Sequence, residues 1–149
     1  MRFTVFVDIN PPQLADYTIE MPLIPYPYTV RTYSLPSLYA GKLHALICRK
    51  WINRVKGRDF YDFIWYISRG QAVNVDHLKS RMVQSGHFDI DKKLDLVELK
   101  SILENRINEV DFNQAKEDVR PFIANPVELD IWSKDFFINL LKSIKVHQP

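Results

Sequence analysis

Residues 35–66 read LPSLYAGKLHALICRKWINRVKGRDFYDFIWY, and their spacing is that of two amphipathic helices joined by a short polar link. In the second half, Phe60, Phe63, Ile64 and Ile67 recur at i, i+3, i+4 and i+7 and form a stripe to be buried. Asp59, Asp62 and Tyr66 recur beside that stripe, so two carboxylates share one face near the helix N-terminus. This helix is predicted from about Gly57 to Gly70, where a glycine suits a left-handed C-terminal cap. In the first half, Ser34 or Ser37 caps a helix running to about Trp51, with Pro36 tolerated in the first turn. Gly41, Ala45 and Cys48 make a stripe of small residues against which another helix can pack closely. Cys48 then belongs to the core, because no His or Asn arrangement supports a thiolate.

The helical period continues to the end of the chain. Asn74 and Gly86 bracket a third helix over residues 75–85, and residues 92–108 form a fourth with Asp89 or Asp91 as its cap. Asp111 caps a fifth that stops before Asn125 and Pro126, and Ser133 caps a sixth that runs to about Lys145. Before residue 34 the period is two. Phe3, Val5, Val7 and Ile9 alternate with Arg2, Thr4, Phe6 and Asp8, which predicts a strand ended by Pro11 and Pro12. Two more extended runs are expected, from Tyr17 to Met21 and from Tyr28 to Tyr33. The expected fold is α+β: a small N-terminal β-sheet in residues 1–33 followed by a helical bundle of about six helices in residues 34–149. No repeat or long linker divides the chain, so a single domain is expected.

Composition bounds the function. The 149 residues are 46% hydrophobic and 26% charged, which fits a globular domain and excludes a disordered tail or a collagenous repeat. A single cysteine makes no internal disulfide, and the opening MRFTVFVDIN carries no apolar core with a small-residue cleavage site, so a cytoplasmic location is expected. No uninterrupted apolar run is long enough to span a membrane. The net charge of +2 does not mark a nucleic-acid binder by itself. Charge is nevertheless uneven: from Arg31 to Arg69 there are eight Lys or Arg against two Asp, and from Asp89 to Asp135 twelve acidic against seven basic residues. Such a pattern either draws phosphates to the basic half or makes two solvated faces that attract each other within one fold.

The chemistry that could be carried is narrow. Lys42 and Arg49 are seven residues apart and lie about 10 Å from each other along one helix face. They either snorkel to solvent or, if their helix packs on the next, join Asp59 and Asp62 in a mixed cluster suited to a triphosphate. The two aspartates have a plain alternative as well: acidic residues in a first turn complement the helix dipole, and Arg58 to Asp62 is an i,i+4 pair worth roughly 0.2–0.5 kcal/mol. The four histidines fall at no zinc-ligand spacing, and there is no Gly-rich phosphate loop. Trp51, Tyr61, Trp65 and Tyr66 lie close in sequence to Arg49, Arg54 and Arg58, which permits base stacking, although core packing explains them equally well.

The run from Leu35 to Tyr66 resembles the segment that marks the AbiEii/AbiGii abortive-infection toxin family of nucleotidyltransferases. In that family a Lys on one helix is followed by Arg-Asp-x-x-Asp on the next, and Lys42 with Arg58, Asp59 and Asp62 matches this pattern, set in Ala-Gly-Lys-Leu and Lys-Gly-Arg-Asp. The early VDINPP resembles the strand before this helix pair, and DVRPFI and WSKDFF are similar to segments of the family's C-terminal bundle. The resemblance implies a polymerase-beta-like fold that transfers a nucleotide from a nucleoside triphosphate (NTP) to an RNA or protein acceptor, with magnesium (Mg2+) held by carboxylates. Family members place two of those carboxylates in a Gly-Ser turn and a following Asp-x-Asp. Here all four glycines lie at or beyond Gly41, no Gly-Ser dipeptide exists, and Asp89-Ile90-Asp91 sits in a polar loop that suits a cap.

On this resemblance Asp59 and Asp62 are the expected catalytic residues, Lys42, Arg58 and Arg49 the expected triphosphate ligands, and Asp8 the candidate magnesium carboxylate. Asp8 could equally be a solvent-facing strand end, with Asn10 holding the polar role. The chain is expected to be the later part of the family's domain, truncated or split, with little activity alone. Expected partners are an NTP, an RNA acceptor, a cognate antitoxin, and either a second copy or an N-terminal half covering the apolar strand edge from Phe3 to Ile9. The alternative function is a non-catalytic nucleotide-, RNA- or partner-binding module.

Overall fold

Cross-strand pairs close the first structured unit of the computed structural model, which describes residues 4–51 and 54–147. Strands β1 (Tyr17–Glu20) and β2 (Val30–Tyr33) pair antiparallel, with Tyr17 opposite Tyr33 and Thr18 opposite Thr32. The two tyrosine rings lie 5.1 Å apart and the two threonine hydroxyls 3.1 Å apart, contacts that stabilise such a pair by a few tenths of a kcal/mol to about 1 kcal/mol each.

The predicted strand before this hairpin is not formed. Residues 4–9 carry no strand pairing, and Val5, Phe6, Val7 and Ile9 are at least 76% exposed; Phe3 lies outside the described residues. Alternation marks a strand only where a neighbour supplies the ladder, and among the described residues none pairs with residues 4–9. After Pro11 and Pro12 the chain instead runs along a helix, where Gln13 N donates to Ser80 Oγ at 3.0 Å and Gln84 Nε2 to Asn10 O at 2.8 Å.

Helix α1 (Leu35–Cys48) starts at Ser34, whose hydroxyl accepts from Ser37 N, and ends earlier than Trp51 because Arg49 turns extended. Helix α2 (Gly57–Ser68) follows, then the short strand β3 (Ala72–Asn74) and α3 (Val75–Gln84), capped by the Asn74 side chain. Helix α4 (Leu96–Asn108) begins later than predicted. Its cap is Asp95, which accepts from Val97 N and Glu98 N, while Asp89 bends its own loop by accepting from Asp91 N. Helix α5 (Phe112–Val119) is shorter than predicted and tightens into a 3-10 turn at Arg120–Phe122, since Pro121 has no N–H to continue the ladder. Helix α6 (Lys134–Leu140), capped by Ser133, also stops early: the chain passes through a 3-10 turn into strand β4 (Lys145–His147), which pairs parallel to β3.

α1 is central, packed on α2, α3 and β3, while α5 covers α2 and α4 meets α6. Most of the α2 stripe is buried, with Phe60 and Phe63 at 1% exposure or less and Ile67 buried beside them, while Ile64 is half-buried. Phe137 of α6 sets its ring 5.1 Å from Phe60 and 4.9 Å from Phe112, tying three helices together. Each such buried ring contributes about 1.5–3 kcal/mol relative to leaving it exposed. The α+β class is as predicted, and among the described residues no helix is long and apolar enough to cross a membrane.

Candidate functional site

The packing of α1 on α2 brings the predicted cations and carboxylates together. Lys42 Nζ lies 2.8 Å from Asp62 Oδ2, and Arg49 Nε lies 3.1 Å from Asp59 Oδ2. The later residue on α1 meets the earlier on α2, as two antiparallel helices require. The pairs differ in environment. Lys42 is 51% exposed, so its pair is screened by solvent and worth no more than about 1 kcal/mol. Asp59 is 6% exposed, and burial pushes its carboxyl above the usual range; Arg49 pulls it back down, Asp62 pushes it up, and Arg58 and Lys42 pull it down. Asp59 Oδ2 has no aligned hydrogen-bond donor: the Arg49 guanidinium reaches it as a charge, with its N–H directed elsewhere. Arg58 is exposed on α2, and no ion pair engages it among the described residues. Tyr66, one turn beyond Asp62, is buried and stacks on Tyr39 with ring centroids 4.5 Å apart.

The first turn of α2 is held by a residue that the sequence did not single out. Lys56 stands at the N-cap and makes no side-chain cap bond, so the orphan N–H groups need an acceptor from elsewhere. Asp118 of α5 supplies it. Gly57 N donates to Asp118 Oδ2 at 2.9 Å, and Arg54 Nε lies 2.7 Å from Asp118 Oδ1. A carboxylate there also complements the helix dipole. Gly57 allows the approach: a Cβ at this position would fall 1.9 Å from the carbonyl oxygen of Ala115. The one sequence signal was a helix opening on Lys-Gly with no local cap.

Asp8 does not join the cluster. Its carboxylate accepts from Asn10 N at 3.0 Å, it is exposed, and the strand expected to present it is absent. Magnesium demands near-octahedral oxygen coordination, commonly with one or two carboxylates beside substrate phosphates. Among the described residues no three His, Cys, Asp or Glu side chains gather as a metal site, and Asp59 and Asp62 each already face a cation. The described side chains thus form no preassembled magnesium site by themselves. The histidines are engaged elsewhere: His44 Nε2 lies 2.9 Å from Ser85 Oγ, and buried His77 places Nδ1 2.7 Å from Gln13 O.

The charged cluster lies between two helices, with Lys42 and Arg58 exposed and Asp59 buried beneath them. A cavity of about 520 Å³ opens between Pro12, Leu14 and the α3 residues Ser80 and Val83, and another of about 550 Å³ lies between the hairpin and the start of α1. None of Lys42, Arg49, Arg58, Asp59 and Asp62 lines either one.

No curated protein and no solved structure matches this chain. The family model described as the nucleotidyl transferase AbiEii toxin of a type IV toxin–antitoxin (TA) system matches residues 3–139. That span contains both cation–carboxylate pairs and the Asp118 cap beneath them. The chain belongs to the AbiEii nucleotidyl transferase toxin family.

Proposed function

We propose that the face shared by α1 and α2 binds the triphosphate of an NTP and that the chain serves nucleotidyl transfer to an RNA or protein acceptor. The observation that carries this reading is the pair of cation–carboxylate contacts, Lys42 with Asp62 and Arg49 with Asp59, around a buried carboxyl of raised pKa. In the transfer, an acceptor hydroxyl forms a bond to the α-phosphorus as the bond to pyrophosphate breaks. Lys42 and Arg58, both exposed, swing onto triphosphate oxygens and neutralise the charge that develops on the leaving group. Releasing Lys42 from Asp62 costs little because that pair is solvent-screened. Arg49 stays on Asp59, offsetting that carboxylate's repulsion of the incoming triphosphate, and Asp62 guides Lys42. The Asp59 carboxylate, made more basic by burial, accepts the acceptor's proton. Magnesium enters this proposal as a companion of the triphosphate substrate, with no described residue assigned to hold it. A cognate antitoxin is the proposed protein partner, on the strength of the toxin–antitoxin family.

A second reading, in which the chain binds nucleotide, RNA or a partner without catalysis, is favoured by the fact that no three metal-ligating side chains gather among the described residues. Titration of the purified chain with a fluorescent Mg–ATP analogue, followed by incubation with labelled NTPs and bulk RNA, separates the two. Binding that falls about tenfold in Lys42→Ala, a loss of about 1.4 kcal/mol, supports the triphosphate site. Trace transfer that disappears in Asp59→Asn supports the enzyme, and binding without any transfer supports the module. Absence of NTP binding refutes the triphosphate site in either reading and leaves only a module for RNA or a partner, and robust transfer by the chain alone refutes the argument that its metal site is incomplete.

A further inference from the structure

We infer that Arg106 of α4 is a positioning residue of the α1–α2 site, fixing the end of α1 so that Arg49 is delivered to Asp59; the inference rests on the triphosphate reading above. The C-terminal carbonyls of a helix lack partners within it. At the end of α1, Arg49 N still donates to Ala45 O, after which the backbone turns extended at Arg49. Leu46 O and Arg49 O are both taken by one guanidinium from another helix: Arg106 Nε donates to Leu46 O at 2.9 Å and Arg106 Nη2 donates to Arg49 O. The same planar group lies 3.4 Å from the Trp51 ring centroid, and its Nη1 lies 3.5 Å from Glu109 Oε2. Trp51 in turn sits 5.9 Å from Phe60 on α2, the neighbour of Asp59.

The consequence follows from where Arg49 stands. It is the residue at which the chain leaves the helix, so the direction of its side chain depends on where its own carbonyl is held. Arg106 holds that carbonyl, and the Arg49 side chain then reaches Asp59. Arg106 is only 16% exposed, and its fork spans two carbonyls while its central carbon sits over an indole ring. A lysine ammonium, with one nitrogen and no plane, cannot do all three. Without the fork the last turn of α1 frays, and Asp59 loses the cation nearest to it.

A double-mutant cycle on binding of a fluorescent Mg–ATP analogue tests this, with melting temperature measured alongside. Arg106→Gln is expected to weaken binding about fivefold in the otherwise native chain and to have no further effect in Arg49→Gln, since coupled residues are non-additive. Arg106→Lys retains the charge and most of the stem; it is expected to fold and still to weaken binding in the Arg49 background alone, so it serves if Arg106→Gln unfolds. Native binding in both Arg106 variants, or an equal loss with and without Arg49, overturns the positioning role while leaving the triphosphate site standing. If the native chain binds no nucleotide, both fall together.

Discussion

Replacing Gly57 by alanine adds one methyl group to the N-terminal turn of α2, and the position of α5 makes that methyl costly. The new carbon would lie 1.9 Å from Ala115 O, 2.9 Å from Ala115 C and 3.2 Å from Val119 Cβ. The nearest atom is backbone, so no side-chain rotation relieves the overlap and the two helices must move apart. Overpacking by a methyl costs about 1–3 kcal/mol when side chains can adjust, and the upper end applies to a backbone clash. Separation also stretches the bond from Gly57 N to Asp118, and losing a helix cap costs about 1 kcal/mol. A total near 3–4 kcal/mol corresponds to a fall in melting temperature of roughly 6–16 °C for a chain of this size. Gly41→Ala is the internal control. Its Cβ would meet the Arg81 side chain no closer than 3.8 Å, ordinary contact, and an alanine inside α1 gains about 0.5–1 kcal/mol over glycine. Thermal melts followed by circular dichroism should place the two variants on opposite sides of the native chain. A Gly57→Ala protein melting within 2 °C of native would refute the close approach of α5 and the rationale for glycine in Lys-Gly-Arg-Asp.

Asp118→Ala removes the acceptor at the α2 N-terminus and should lower stability by about 1–2 kcal/mol in urea titration, because Arg54 is exposed enough to return to solvent and adds little. Asp59→Asn should be as stable as the native chain or more so at neutral pH, since folding raises the pKa of this carboxyl; the difference should shrink as the pH falls through its folded value, which paired melts across pH will show. His44 and His77 act in the opposite sense. Burial lowers both, His44 to about 4, so stability should decline on acidification below pH 6.5, and His44→Gln should flatten that decline in pH-dependent melts.

The pairing of α1 with α2 was legible because α2 carries a clear apolar stripe and α1 a stripe of small residues at Gly41, Ala45 and Cys48, and once the two helices pack, Lys42 and Arg49 come near Asp62 and Asp59. The hairpin of β1 and β2 was legible for a similar reason, its alternation lying between prolines. Residues 4–9 misled because alternation reports a capacity for pairing and not the presence of a partner. The β3–β4 pair joins residues 72–74 to 145–147, and three-residue strands are too short to show a period. The start of α4 was misplaced because Asp89, Asp91 and Asp95 can all cap, and only the turn that Asp89 makes with Asp91 removes it from the choice. Asp118 and Arg106 were invisible for one shared reason: each satisfies the end of a distant helix, and distance along the chain hides such a partner.

The most direct measurement is a nuclear magnetic resonance titration of the isotopically labelled chain with a Mg–NTP complex. Triphosphate binding at the α1–α2 face predicts shifts concentrated on the side chains of Lys42, Arg49 and Arg58 and on the amides from Gly57 to Asp62, with about tenfold more ligand needed to produce the same amide shifts in Lys42→Ala. Shifts confined to Pro12, Leu14, Ser80 and Val83 around the 520 Å³ cavity, with α2 unmoved, would contradict it.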